Sequence, residues 1–479
     1  MTLLSRLFKS YDLSAVFTPT SVAKLTYVKR ELIENDLEKY LSIPGKQIVV
    51  YGHSGSGKTT LLRNKLKVLK QNFIRTHCET STSFEEILLQ TFDALDRFYV
   101  SERTLNSQYS ISKEVKASYK LISASLKDNY TEGKSEKNSR IVPPQLTPQR
   151  LAQFLGEINC VWIIEDFHKV SDKEKQRIAD VIKIFIDAAN DYPKVKVICI
   201  GAVGTASELI LFDDNLANRV AEIYVPLLDD EQILKILIKG SKLLNFKMSD
   251  ALKEKIVYYS NNLASVAHQI CFDLCFESNI KVSRVFPGTM KEDSFKTAVE
   301  SFVRKNSDTF NMIYEQIECQ KYGWHILKTF DFREKDYLTI DEIRKGIPHT
   351  KRPTEEELEE YLSELGSSEF NEIIRFNRNS KKYSISTPFF KAYLKMKLAL
   401  EENEQIERKN KRKNKQRRRY NITNQKRKTV EDLILNEDFF QTYYQYLDSY
   451  IIKDLKSREN KFIRQNIPPP SNNKKPLKK

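Results

Sequence analysis

QIVVYGHSGSGKTTLLRNKLKVL, residues 47–69, decides how the rest of the chain is read. A short β-favouring apolar run enters a loop containing three glycines, and a leucine-rich segment with helical spacing follows. The loop, Gly52-His53-Ser54-Gly55-Ser56-Gly57-Lys58-Thr59-Thr60, fits GxxxxGK[ST] in the strand–loop–helix context that the motif needs. Its glycines let successive backbone N–H groups wrap phosphate oxygens, and the helix N-terminus adds the positive end of its dipole. Lys58 supplies a point charge to the outer phosphates, and Thr59 offers a hydroxyl to Mg2+. A merely flexible Gly/Ser loop would leave both residues unexplained. ATP with Mg2+ is the expected ligand.

Working outward, residues 46–228 alternate β-rich apolar runs with helical-period segments, the pattern of a parallel sheet with crossover helices. The expected strands are Gln47–Tyr51, Asn72–His77, Cys160–Glu165, Val195–Ile200 and Glu222–Val225, with an insertion over 101–149. The third of them ends in VWIIEDFHK, residues 161–169. Taken alone, Glu165 and Asp166 could simply begin a solvated loop. Beside a phosphate loop they fit the acidic element that such a site requires at the end of a neighbouring strand. Glu165, first after the strand, is assigned to the Mg2+ shell, and Asp166 to the attacking water. His168 reads as a structural residue.

At 479 residues two or three domains are expected. The net charge is +15, of which residues 401–479 contribute about +10, so basicity is concentrated in the tail. Cys78, Cys160, Cys199, Cys271, Cys275 and Cys319 show neither CxxC pairing nor metal-ligand spacing, and read as buried thiols of a reducing compartment. No run approaches the ~18 apolar residues that cross a bilayer, and the N-terminus lacks the apolar core of a secretory signal. A cytoplasmic protein without membrane contact is expected, with residues 1–45 forming an N-terminal segment that packs on the next domain.

Residues 229–290 carry Ile, Leu, Val and Phe at helical spacing and read as a small helical lid. Residues 291–400 read as a helical linker and then three helices closed by two β-like runs around Asn377–Ser380, a winged-helix pattern. Its helix TEEELEEYLSEL, residues 354–365, is too acidic to lie against phosphates. If this unit touches DNA or RNA, the wing residues Arg375, Arg378, Lys381 and Lys382 are the better candidates; otherwise its acidic face suits a protein partner. The tail run Arg408, Lys409, Lys411, Arg412, Lys413, Lys415, Arg417, Arg418 and Arg419 could neutralise phosphates without reading sequence, or could be a solvated charged helix. An aromatic amphipathic helix over 430–450 and a Lys-rich end follow.

Phosphate loop, acidic pair, the strand VKVICIGAVG, the segment DNLANRVAEIYVPLLDDEQ and a helical bundle, in that order, resemble the AAA+ ATPases and their STAND signalling relatives. The winged-helix pattern makes the chain look especially like initiator ATPases of the origin-recognition class. More narrowly, VFTPTSVAKLTYVKRE, VVYGHSGSGKTTLL, IIEDFHKV and NRVAEIYVPLL look like a group of bacterial AAA/STAND-type ATPases. The resemblance covers about residues 16–400. It implies an adenine-binding region near Tyr27–Glu31, including Val28 and Arg30, and an arginine finger at Arg219 acting on a neighbouring copy. As a surface residue Arg219 could equally pair with Glu222 or Asp214. Three departures stand out. The acidic pair reads Glu-Asp where the family reads Asp-Glu. The bundle position of a sensor arginine falls in NNLASVAHQ, which offers only His268. The fourth strand ends at Gly201-Ala202, with Thr205 as the one substitute for its usual polar sensor.

The expected function is an ATP-binding and ATP-hydrolysing switch that forms a homo-oligomer and engages nucleic acid or a protein partner. The resemblance also suggests a setting in phage defence or mobile-element biology. The alternatives are a nucleotide-gated DNA-binding protein with little turnover, and a signalling scaffold without nucleic acid.

Overall fold

The computed structural model describes residues 10–99, 117, 146–202, 205, 216–332, 337–378 and 380–423. Nearly all of the expected insertion over 101–149, the amphipathic helix over 430–450 and the Lys-rich end lie outside the described residues. The chain divides into two compact units, Met1–Asn403 and Glu404–Lys479.

Five parallel strands form the central sheet: β1 (Gln47–Tyr51), β2 (Asn72–His77), β3 (Cys160–Glu165), β4 (Lys196–Gly201) and β5 (Val220–Tyr224), in the order β2-β3-β4-β1-β5. Strand β1 lies in the interior, pairing Val50 with Ile200 on one side and with Ile223 on the other. Alternation along the strands divides the apolar residues between two faces. Ile48, Val50, Ile163, Ile198 and Ile223 pack with Leu37 of α2 (Glu31–Ser42) and with Leu61, Leu62 and Leu66 of α3 (Lys58–Val68). Trp162, Ile164 and Cys199 face the opposite core with Phe92, Phe154 and Phe185. These phenylalanines come from α4 (Phe84–Tyr99), α5 (Pro148–Glu157) and α6 (Asp172–Ala188). The Trp162 indole N–H donates to Thr76 Oγ1 at 2.9 Å, so the largest side chain of this core keeps its one polar atom satisfied.

Beyond the sheet come α7 (Asp230–Leu244), α8 (Asp250–Ser260) and α9 (Ala264–Glu277). Asp229 opens α7 through a capping box with Gln232, and Asn245 closes it in the left-handed conformation. Two helices, Asp293–Lys305 and Ser307–Glu318, lead to three more at Gly323–Phe332, Ile340–Gly346 and Glu355–Leu365. An antiparallel ribbon of Ile374–Asn377 and Lys382–Ile385 follows, joined to the chain before its second helix by a bridge between Leu338 and Tyr383. The last described helix runs from Pro388 to Thr423. One continuous apolar core extends from the N-terminal helix Leu13–Val16 through α7–α9 to this ribbon.

Among the described helices none is long and apolar enough to cross a membrane. Five cysteines are buried, but Cys319 is exposed, contrary to the expectation of six buried thiols, because it sits at the end of its helix outside the core.

Candidate functional site

The phosphate loop follows directly from β1. Gly57, at φ 85°, is the N-cap of α3, and Gly52 lies so close to the backbone that an added Cβ would stand 2.3 Å from the Val225 carbonyl oxygen. Both positions need a residue without a side chain. The amide of Ser56 donates to the His53 carbonyl at 3.1 Å, and the buried Ser56 hydroxyl has no partner among the described residues. Lys58 Nζ donates to the carbonyls of Gly52 and His53, both at 2.9 Å, so it folds back over the loop. Burial lowers its pKa, and the nearby Asp166 carboxylate opposes that shift.

Arg30 supports the loop from beneath. Nearly buried at 8 % exposure, it donates to the Ser56 carbonyl at 2.5 Å and to the Pro226 carbonyl at 2.8 Å. Glu34 accepts from the Arg30 amide at 3.1 Å and from the Tyr27 hydroxyl at 2.7 Å. The guanidinium thus ties the N-terminal segment, the phosphate loop and the exit of β5 together. Desolvation lowers its pKa, with Tyr27, Asp229 and Glu34 opposing.

A cavity of about 480 Å3 opens beside the loop. Its lining comes from the segment between Thr18 and Arg30, including Val28; from Gly55, Gly57, Thr59, Thr60 and Arg63 of the loop and α3; from Ala264, Ser265 and His268 of α9; and from Arg75 of β2, Leu228, and Ile236 of α7. A channel of this size with an apolar wall and a polar mouth suits a nucleotide-sized ligand. His268 is buried at 2 % exposure; its Nδ1 accepts from the Thr18 amide at 3.0 Å and its Nε2 has no partner among the described residues. Desolvation takes its pKa down to about 4, so the ring is neutral and does not serve as a cationic sensor.

The two acids point differently. Glu165 lies 3.3 Å from Arg75 Nη1 and 3.6 Å from His77 Nδ1, both on neighbouring β2. Asp166 stands in the left-handed conformation at φ 60°, pairs with Lys169 at 2.8 Å, and is the carboxylate whose charge acts on Lys58. Arg219 is exposed at the opposite end of the sheet, its carbonyl accepting from the Gln47 amide at 2.9 Å. The length of β1 separates it from its own phosphate loop. Thr205 is buried, and its hydroxyl is spent on the Ala202 carbonyl at 2.7 Å.

The donors near the loop fit Mg2+ arriving with a nucleotide. Thr59 and the acidic pair supply hard oxygen ligands of the kind Mg2+ prefers, few in number, with phosphates expected to complete the shell. Among the described residues no cluster of three or more His, Cys, Asp or Glu would hold a metal unaided. Thr59 and a carboxylate of the pair would hold the ion, which neutralises charge building on the phosphates.

At the ribbon, Arg375, Arg378 and Lys381 are exposed and Lys382 is half-buried. In the last helix Arg408, Lys409 and Lys413 are exposed, and Arg408 pairs with Glu404 at 3.2 Å. The side chains of Lys411, Arg412, Lys415, Arg417, Arg418 and Arg419 lie outside the described residues.

Residues 45–209 match the family model described as AAA domain, and this part of the chain is an AAA-type P-loop domain. Solved structures to which this chain is similar include the Walker-type ATPase of Pyrococcus abyssi, at 14% identity and TM-score 0.46, covering 77% of this chain and 96% of that one. The ORC2 protein of Aeropyrum pernix, in ADPNP–ADP complexes, matches at 12% identity and TM-score 0.44, covering 80% and 98%. The Cdc6p of Pyrobaculum aerophilum matches at 15% identity and TM-score 0.39, covering 81% and 98%. A search of curated proteins finds no match.

Sequence reading did not single out Arg75 or Thr18. Arg75 is a half-buried cation in the strand NFIRTH beside the acidic strand, a signal available once β2 and β3 are known to be neighbours. Thr18 carries no local signal, since its partner His268 is 250 residues away.

Proposed function

We propose that this chain is an ATP-driven switch. The observation that carries the reading is the shared cavity: one space is lined at once by the phosphate loop, the N-terminal segment and α9 of the lid. A ligand filling it would contact all three, and that differential contact is what allows nucleotide to bias the lid between two positions. Phosphates would rest on Gly52–Thr60, with Lys58 released from its two carbonyls to meet them. Asp166 would orient and deprotonate the attacking water, while Glu165, held by Arg75 and His77, would face the Mg2+ shell. Arg219, exposed at the far end of the sheet, is suited to reach the phosphates of an adjoining copy, so assembly and turnover would be coupled.

The elements over 323–400 support a winged-helix reading, with Arg375, Arg378, Lys381 and Lys382 on its ribbon. The first turn of its acidic helix carries Glu355, Glu356 and Glu357, which suit the positive end of that helix and repel phosphate. This unit would meet a partner protein by its acidic face. A second reading, a nucleotide-gated nucleic-acid binder, is favoured by the nine basic residues between Arg408 and Arg419. A role in phage defence or mobile-element biology rests on the family resemblance alone.

The test is ATP turnover measured with sedimentation velocity at the same protein concentrations. Turnover should rise as ATP-dependent oligomers form, and Arg219→Ala should bind ATP normally yet lose about a thousandfold in rate. Equal turnover in wild type and Arg219→Ala would remove assembly from the cycle. Deleting 404–479 preserves the contacts of Glu401 with Tyr314 and of Glu402 with Lys328. Loss of salt-sensitive DNA retention in that deletion would favour the second reading.

A further inference from the structure

The cavity's polar groups divide into those already satisfied and those that are not. Thr26 Oγ1 donates to the Val16 carbonyl at 3.0 Å, the Tyr27 hydroxyl donates to Glu34, and the Arg30 guanidinium is occupied by Ser56 and Pro226. Thr20 and Ser21 lie exposed at the rim. Two buried groups remain: Nε2 of His268 and Oγ1 of Thr18, both without a partner among the described residues, on side chains of residues 2 % and 9 % exposed. Buried polar atoms are nearly always hydrogen-bonded, because leaving one unmade forfeits its solvation. Two orphans on adjoining residues lining one cavity therefore point to a ligand.

The tautomer sharpens what that ligand must offer. Nδ1 of His268 accepts from the Thr18 amide at 3.0 Å, so it carries no proton. In the neutral ring the proton is on Nε2, and the imidazole presents a donor only. Phe17 fixes the ring edge-on, with centroids 5.9 Å apart. The ligand must place an acceptor at Nε2 and, beside it, a group that can bond a hydroxyl. Adenine has this arrangement, a ring nitrogen next to an exocyclic amine. Guanine brings additional donors and acceptors, and among the cavity's buried polar groups none is left to meet them.

We propose that His268 and Thr18 together read the edge of an adenine base, His268 donating to a ring nitrogen and Thr18 Oγ1 accepting from the exocyclic amine. The proposal rests on the nucleotide-binding reading and deepens it. The base would be recognised jointly by the lid and the N-terminal segment, while Val28, Leu228 and Ile236 supply apolar wall for its faces. His268 becomes a specificity residue rather than a phosphate sensor.

The test is calorimetric titration of the full chain with ATP, GTP, 1-deaza-ATP, 7-deaza-ATP and purine riboside triphosphate. His268→Asn keeps an acceptor for the Thr18 amide and deletes the Nε2 donor; Thr18→Val deletes the hydroxyl at nearly constant volume. In wild type, ATP should bind about tenfold tighter than GTP and than one of the two deaza analogues. His268→Asn should erase the preference over that deaza analogue. Thr18→Val should erase the preference for ATP over purine riboside triphosphate while leaving the deaza discrimination intact. The inference is overturned if His268→Asn weakens every nucleotide by one common factor or none. If that happens while Lys58→Ala abolishes binding, the phosphate-loop reading stands alone; if wild type binds no nucleotide, both fall together.

Discussion

Arg75 Nη1 stands 3.3 Å from Glu165 Oε1, reaching from β2 across to the end of β3. With His77 Nδ1 at 3.6 Å from the other carboxylate oxygen, this places Glu165 among basic groups, whereas Asp166 acts on Lys58. The two acids therefore differ in surroundings as well as in length. Asp166→Asn should bind ATP normally and lose two or more orders of magnitude in turnover, as expected for removal of a group that takes a proton. Glu165→Gln should instead raise the Mg2+ concentration needed for half-maximal turnover. Steady-state rates across a Mg2+ titration check both, and an exchange of the two phenotypes would exchange the roles.

Arg30 makes a different prediction. Its guanidinium holds two carbonyls of separate segments from a nearly buried position. Arg30→Ala should lower unfolding stability by roughly 3 kcal/mol, since hydrogen bonds to a buried charge are each worth about 1.5–3 kcal/mol. Urea denaturation measures the loss. Arg30→Lys should recover little of it, because one ammonium cannot span both carbonyls with the geometry of a guanidinium fork.

Burial of His268 predicts how stability responds to acid. Its folded-state pKa of about 4 lies below the unfolded value near 6.5, so the unfolded chain binds the extra proton first. Its contribution is fully present above pH 6.5 and is lost as pH falls towards 4, a total of the order of 3 kcal/mol. Unfolding free energies at a series of pH values should slope less steeply over that window in His268→Asn than in wild type. Identical slopes would mean that the ring is not held neutral.

Much of this architecture was legible because the strongest signals are local. The strands Gln47–Tyr51, Asn72–His77 and Cys160–Glu165 appear with the boundaries that their apolar runs imply. Residues that stop a strand flank them: Gly52 after the first, Lys70 at positive φ ahead of the second, and Asn159 and Asp166, both at positive φ, on either side of the third. The last two strands shift by a residue or two. Lys196, a lysine in a β-run, is buried at 1 % exposure with Nζ on the Ile43 carbonyl, and β5 starts at Val220, where it pairs with Gln47. Both shifts are set by partners far away in sequence. The same holds for the site. The loop is contiguous and declares itself, while the Arg30–Ser56, Arg75–Glu165 and Thr18–His268 contacts join residues 26, 90 and 250 apart. Spacing patterns carry no trace of such pairs.

Gly52–Thr60 is proposed to bind the phosphates of ATP through Lys58. An ATP titration of wild type against Lys58→Ala decides this. Lys58 is the first residue of α3, and among the described residues its ammonium donates to the two loop carbonyls, so the variant should fold with unchanged far-UV spectrum. Its affinity for ATP should fall at least a hundredfold, in line with removing a charge-assisted contact to phosphate. An unchanged affinity in the folded variant would show that Lys58 does not hold the phosphates of ATP.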